Sequence, residues 1–327
     1  ITLEPFLTEQ WYLKSDAMAA EAKRLIKNKQ IKFIPKNWEN TYFSWMNDIR
    51  DWCISRQLWW GHRIPIWSKA FPKSEEPSWP HSDSDAVVSQ VMFDEAEEQN
   101  IVYLSIDGGY DSIETDIESA GFVQDEDVLD TWFSSALWPL STMGWPIPEA
   151  FPDTIGLLEE LNPTSVLCTA REIIGQWVSR MVMFNRYFQH GTLPFYDVYI
   201  HPTVQDGFGQ KMRKSLGNGV DRRDILSTHG ADALRYLMAQ LTTGTQDVRL
   251  GVDLICPYTG ESFEPEYVTS LSGHKVMAPI QTCPTDSSKH MSTVYGILTG
   301  ESTDCEETPL AMNTSFRFDV GRNFANK

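Results

Sequence analysis

Residues 163–201 constrain the fold more than any other stretch of this chain. SVLCT (165–169) reads as a short buried strand, and EIIGQWVSRMVMFNRYFQH (172–190) as a helix with Ile173, Ile174, Trp177, Met181, Phe184 and Phe188 at its apolar positions. GTLP (191–194) breaks that helix and FYDVYIH (195–201) reads as a second strand. Strand, helix and strand over about forty residues make a βαβ unit with parallel strands and a right-handed crossover. The fold class expected is therefore α/β. In such sheets ligands sit beyond the carboxyl ends of the strands, which here are Thr169–Glu172 and His201–Gln205.

The segment after the second strand fits that expectation. PTVQDGFGQKMRKSLGNGVD (202–221) is a loop with Gly207, Gly209, Gly217 and Gly219 around Lys211, Arg213 and Lys214. Glycines allow close backbone approach, and two lysines place mobile positive charge directly past a strand end, where a polyphosphate would sit. DILSTHGADALRYLMAQL (224–241) returns to helix. Upstream, residues 8–29 read as a helix with Thr8 at its N-cap, IKFIP as a short strand ending at Pro35, and residues 37–57 as an amphipathic helix carrying Trp38, Tyr42, Trp45, Ile49, Trp52 and Cys53 on one face.

The chain has 327 residues and a formal charge of −18, which argues against non-specific adhesion to nucleic acid through a generally basic surface. Most of that charge is local, because residues 71–130 hold one basic and 17 acidic groups. With its Pro, Ser and acid content, 68–127 reads as a surface insertion that is partly ordered at best. Residues 251–312 show no defensible period. The five cysteines are too few and too scattered for a disulfide framework and fit a reducing compartment. No run of 18 apolar residues and no signal-peptide pattern at ITLEPFLTEQ point to a soluble, cytoplasmic protein without membrane contact.

Four long segments then carry a family resemblance: DWCISRQLWWGHRIPIW (51–67), DEDVLDTWFSSALWPLSTMGWP (125–146), NPTSVLCTAREIIGQWVSRM (162–181) and GQKMRKSLGN (209–218). They occur in the order seen in valyl-tRNA synthetases, class I enzymes of the isoleucine, leucine and valine group. GADALRY (230–236) also looks like that family, and FDVGRNFANK (318–327) resembles the opening of its helical anticodon-binding domain. The resemblance covers 1–66, 125–250 and 313–327 but not 68–124 or 251–312. No HIGH-like tetrapeptide occurs in the expected context. The chain therefore looks like the middle of a synthetase, without the HIGH half, the editing domain and most of the anticodon domain.

The resemblance implies the second half of a Rossmann-like catalytic domain. The implied organisation is a catalytic segment at 1–67, an acidic surface insertion at 68–124, the rest of the half-domain with the KMSKS-type loop and stem-contact segment at 125–250, an insertion of unknown role at 251–312, and the start of the anticodon domain at 313–327. The implied activity is activation of valine by ATP, with Mg2+ in the substrate complex, followed by transfer to tRNA(Val), in a monomer. Lys211 and Lys214 stand as the two lysines of the signature and the catalytic residues, and Met212 and Ser215 lie beside them in the ATP site. His201, Glu172 and Ala170 stand at nucleotide positions, and Trp60 and Trp132 at the walls of the amino-acid pocket. Asp130 is read either as support for that pocket or as a simple capping carboxylate. Some relatives bind zinc through cysteine pairs in the insertion, but 68–124 contains no cysteine, and no zinc is expected.

Departures from the family pattern motivate a second reading. Arg213 stands where the signature usually has Ser, and Ala170 and Glu172 stand where most relatives have Gly and Asp. Together with the missing HIGH half they suggest, as the alternative, a degenerate synthetase-like module that binds tRNA or nucleotide without catalysis. In either case this chain alone is expected to be inactive.

Overall fold

The structure, a computed structural model, describes residues 8–326 except 109, 243 and 245. These divide into two compact units. The first comprises the described residues up to Leu167 together with Glu172–Tyr199, and the second comprises Cys168–Arg171 and the described residues from Ile200 onward.

The parallel sheet of the first unit is built from the predicted βαβ pattern. Helix α1 (Asp16–Lys27) leads to strand β1 (Lys32–Ile34), and helix α2 (Trp38–Asn47) comes next. Strands β6 (Thr164–Thr169) and β7 (Phe195–Ile200) join β1 in the order β6-β7-β1. Val198 lies opposite Phe33 in parallel register. Thr164 donates its amide to the Pro194 carbonyl at 3.0 Å and His201 donates to Thr169 at 3.0 Å, so β6 and β7 run in the same direction. Between them the chain passes through a turn of 3-10 helix (Arg171–Ile173) and one of π-helix (Ile174–Val178) into helix α5 (Ser179–Phe188). Met181, Val182, Met183 and Phe184 of α5 are buried with Phe195 and Val198 of β7. The π-turn places Gly175 against the Trp45 ring, where a Cβ would come within 2.5 Å of a ring carbon. Strand β6 departs from the expected buried strand. It lies at the sheet edge, with Leu167 and Thr169 buried while Ser165, Val166 and Cys168 are exposed.

Two upstream helices are shorter than their patterns suggest. The first begins at Asp16, because Tyr12–Leu13 is extended and pairs antiparallel with Trp52–Cys53; the Thr8 hydroxyl donates to the neighbouring Glu9 carbonyl instead of capping a helix. The second stops at Asn47, and Ser55–Arg56 pairs antiparallel with Val128–Leu129. Trp52 thus lies on a paired strand and not on a helix, and its ring is buried against Phe133 and Phe184.

The acidic segment is folded. Strands β2 (Ile66–Pro72), β3 (Val87–Asp94), β4 (Gln99–Ile106) and β5 (Val123–Gln124) form an antiparallel sheet in the order β3-β4-β2-β5, with helix α3 (Asp111–Ser119) between β4 and β5. Val102, Leu104 and Ile106 alternate inward along β4 and meet Trp67, Phe71, Ile113, Ile117 and Phe122. That alternation supplies a core which the acidic composition obscures, so partial order is overturned as an expectation. Helix α4 (Thr131–Ala136) lies just after this sheet.

In the second unit helices α6 (Arg222–His229) and α7 (Ala231–Leu241) are separated by Gly230, whose φ of +85° ends the first. Helix α8 (Phe316–Ala325) packs across α7, with Gly321 against the Ala233 backbone. Ile225, Leu237, Leu241, Leu250 and Phe318 form the core of this group. Residues 251–312 fold as short strands: β8 (Asp253–Ile255), β9 (Ser262–Phe263), β10 (Ile280–Cys283) and β11 (Asp286–Ser292) among them, with β12 (Met312–Thr314) closing the β9-β8-β12 sheet. No helix of the described residues is long and apolar enough to cross a membrane.

Leu104 is fully buried in the acidic segment's core. Leu104→Ala should destabilise that segment by about 3 kcal/mol, read as faster amide exchange along β2–β4; unchanged exchange would show that the segment has no such core.

Candidate functional site

In the first unit the predicted pocket residue Asp130 is 6% exposed and gathers four partners. It caps α4 by accepting the Trp132 amide on Oδ1 at 3.2 Å. Its Oδ2 accepts from Trp52 Nε1 at 2.9 Å and from Arg56 Nη2 at 2.9 Å, and Arg180 Nη1 lies 3.9 Å from the same oxygen. The capping reading of Asp130 is seen in the Trp132 amide bond. The Arg180 guanidinium stacks 3.6 Å from the centre of the Trp52 ring, which in turn packs on Phe133 and Phe184. Burial pulls the Arg180 pKa down to about 10; Asp130 opposes that fall and the like charge of Arg56 adds to it. Arg180 thus stays charged at neutral pH.

These residues line a cavity of about 560 Å³ whose walls include Trp45, Trp52, Arg56, Asp130, Trp132 and Arg180. Flat apolar rings beside fixed charges suit a small ligand with an apolar body and a polar end. Trp60 is not part of it. That residue is 91% exposed on the loop after Arg56, and the structure does not bring it to Trp132. Glu172 is exposed in the 3-10 turn after β6. A larger hollow, about 770 Å³, lies against β2–β4 with Trp11 and Tyr103 in its wall and contains none of the predicted site residues.

The second unit holds the basic loop. Its two strand ends are adjacent, since His201 donates to Thr169, and Ala170 comes directly after. His201 is exposed, with Nδ1 2.9 Å from the Pro202 carbonyl. Arg171 pairs with Asp247 at 2.8 Å, and Asp247 accepts the Thr203 amide at 2.9 Å, which fixes the chain leaving β7.

The loop itself is built around two buried polar side chains. Asp206 accepts the Phe208 and Gln210 amides on Oδ1, at 3.0 and 2.9 Å, and the Asn218 side chain on Oδ2 at 2.8 Å. Asn218 Oδ1 accepts the Arg213 amide at 2.8 Å. From a distant segment Asn313 donates to the Gly217 and Gly219 carbonyls at 2.8 and 2.7 Å. Gly217 has φ +60°, and a Cβ there would lie 2.6 Å from the Tyr295 amide nitrogen, so glycine is required. Met212 points inward and packs on the unit's apolar cores, whereas Lys211, Arg213, Lys214 and Ser215 are exposed. The loop thus presents a run of cations on a fixed base. Among the described residues no group of three or more His, Cys, Asp or Glu is placed to hold a metal ion.

The family described as tRNA synthetases class I (I, L, M and V) matches residues 3–251, more than half of the chain. The chain belongs to the class I tRNA synthetases. Its curated relatives include the valine--tRNA ligase of Rhodopirellula baltica, 37% identical over 339 residues that cover 99% of this chain and 31% of the relative. That of Rhodopseudomonas palustris is 41% identical over 79% of this chain and 26% of the relative. That of Treponema pallidum is 43% identical over 77% and 22% respectively. This class I synthetase chain therefore spans less than a third of the length of these relatives. The R. baltica alignment also runs through the segments at 68–124 and 251–312, where the motifs alone carry no resemblance.

The residues that hold this synthetase's site together are poorly marked in its sequence. Spacing alone puts Trp52 on a helix face, and it does not single out Arg56 and Arg180, although both lie inside the family-like segments. Asn218 lies within the signature segment, but Asn313 has no local signal.

Removing the Asp130 carboxylate leaves the Trp52 indole N–H without its acceptor and the buried Arg180 without its counter-charge, while the half-exposed Arg56 keeps its bonds to the Cys53 and Ser55 carbonyls. Asp130→Ala should cost about 3–5 kcal/mol in a denaturant melt of this chain; a loss below about 1 kcal/mol would mean that these contacts are solvated and weak.

Proposed function

We propose that the intact protein containing this chain is a valine–tRNA ligase: it activates valine with ATP to valyl-adenylate and transfers the valyl group to the 3′ end of tRNA(Val). The observation that carries this reading is the exposed Lys211, Arg213, Lys214 and Ser215, which follow in the chain the second of two adjacent parallel strand ends and stand on a base fixed by Asp206, Asn218 and Asn313. The relatives named valine--tRNA ligase support the choice of amino acid.

In this reading the valine carboxylate attacks the α-phosphate of ATP, carried as its Mg2+ complex, and pyrophosphate leaves. Charge gathers on the phosphates in the transition state, so the protein's contribution is positioning and electrostatic stabilisation. Lys214, with Lys211, supplies positive charge to the leaving phosphates. Met212 keeps those lysines facing outward by burying its own side chain, Ser215 lies beside them, and His201 and Ala170 serve the nucleoside from the strand ends; the family resemblance alone gives Glu172, in the first unit, a nucleotide role. In the first unit Trp132 forms the wall against the valine side chain, with Asp130 holding its backbone; Trp60, which lies outside the cavity that Trp132 lines, is given a pocket place by the family resemblance alone. Such a wall discriminates against one extra methylene by only about 1–3 kcal/mol, so rejection of near-isosteres falls to editing elsewhere in the intact protein. The protein acts as a monomer in the cytoplasm and uses no zinc in the acidic segment. Residues 68–124 and 251–312 are additions around the catalytic half-domain, and 313–327 opens the anticodon-binding helices.

The test uses the intact protein. Lys214→Ala should lower valine-dependent ATP–pyrophosphate exchange by about 10²–10³-fold without moving the melting temperature. Unchanged exchange would remove the lysine from the reaction, and no exchange in the unsubstituted protein would favour a non-catalytic binding module, to which Arg213 and Ala170 would then be the pointers.

Trp132→Ala should raise the KM for valine about tenfold or more while the KM for ATP holds. Equal changes in both would assign Trp132 to the core instead.

A further inference from the structure

The second unit contains a thiol pair that the aminoacylation reading does not use. Cys256 comes directly after β8 and Cys283 ends β10; they are 0% and 3% exposed, and their sulfurs lie 3.5 Å apart, with the Cys256 thiol donating to Cys283. It is the one sulfur–sulfur contact among the described residues. Cys283 sits at an irregularity of the β10–β11 hairpin, where the register shifts between Thr282 and Cys283. The Thr285 hydroxyl is 3.4 Å from its sulfur. That hydroxyl and the Thr285 amide hold the Cys283 thiol below its ordinary range, against the opposing effect of burial, and Cys256 and the Asp286 amide add to the lowering. The Thr285 hydroxyl and amide facing the Cys283 sulfur favour there, more than a bare apolar site would, the thiolate form that reacts with peroxides.

We propose that Cys256 and Cys283 are an oxidative modification site, a dithiol that hydrogen peroxide converts to an intramolecular disulfide. The Cys283 thiolate attacks one peroxide oxygen: the S–O bond forms, the O–O bond breaks, and the departing hydroxide takes up a proton as water. The Cys256 sulfur then attacks the resulting sulfenic acid. The S–S bond forms, the S–O bond breaks, and the hydroxide leaves with the Cys256 proton as a second water. Two thiols and one peroxide give one disulfide and two waters, with both electrons passing from sulfur to oxygen. The sulfurs need to close from 3.5 Å to about 2.05 Å.

The position gives the modification a consequence. Cys256 and Cys283 belong to the apolar cluster of Val252, Leu254, Met277, Met291 and Ala311, and Met212 of the basic loop packs against the same cluster. A disulfide there ties β8 to the β10–β11 hairpin within the core on which that loop rests. The chemistry is independent of which amino acid the intact protein activates.

The test is made on this chain, reduced, freed of reductant, exposed to hydrogen peroxide, quenched with N-ethylmaleimide and mapped by mass spectrometry without reduction. A Cys256–Cys283 linked peptide should be the dominant disulfide, with the chain lighter by two hydrogens and restored by dithiothreitol. In Cys256→Ser the Cys283 sulfenic acid should persist and be trapped by dimedone. Absence of the linked peptide at doses that oxidise the exposed Cys305, or a link from Cys283 to another cysteine, would overturn the proposal. Because the mapping is made on the unsubstituted chain, the result stands even if the variant folds poorly.

Discussion

A single buried carboxylate holds the first unit's pocket in shape. Asp130 accepts from Trp52 and Arg56 on one oxygen and caps α4 with the other, so a strand pair and a helix start are tied at one point. Arg180 brings α5 to the same point by stacking on Trp52. The buried Arg180 guanidinium, close to the half-exposed Arg56, would be costly without a counter-charge, and its lowered pKa records the part of that cost which burial and Arg56 impose. The wall residue Trp132 is the second residue after Asp130, and its backbone amide is held by it. Pocket geometry and pocket stability are thus the same set of bonds, and a side chain placed this way adjusts little when a ligand arrives.

The second unit solves a different problem with similar means. A loop that must carry several like charges has no apolar reason to adopt one shape. Here Asp206 and Asn218 supply the shape from inside, and Asn313 supplies it from a segment 96 residues from Gly217 in the sequence. The cations point outward from that base, and Met212 anchors it to the core. The buried amides and carboxylate are what fix the place of that charge.

How far the sequence discloses this architecture depends on the range of the contacts involved. The βαβ unit and the basic loop show in the sequence because periodicity and glycine spacing are local signals, and the strand ends lie side by side as that pattern requires. The acidic segment misleads because 17 acidic groups outweigh a short alternation such as NIVYLSI in any compositional view. Residues 37–57 mimic one helix because the spacing of Trp52 suits a helix face, while it sits on a strand paired with Tyr12–Leu13 and its ring is covered by Phe133, Phe184 and Arg180, all distant in sequence. The long-range partners Arg180 and Asn313 lie within the family-like stretches, but no spacing singles either of them out. Trp60 shows the opposite limit: its motif position is plain in the sequence, while its side chain is 91% exposed and outside the cavity that Trp132 lines.

The buried hydrogen bond between Trp52 and Asp130, at the centre of the tryptophan-walled cavity, is where the pocket and its stability meet. Indole N–H exchange in the chain labelled with [15N]tryptophan measures it directly. The Trp52 indole proton should be protected by several orders of magnitude over those of the exposed Trp59 and Trp60, since its exchange requires opening of the unit. Exchange of Trp52 as fast as that of Trp59 and Trp60 would show that the bond is open to water and that Asp130 does not organise the site.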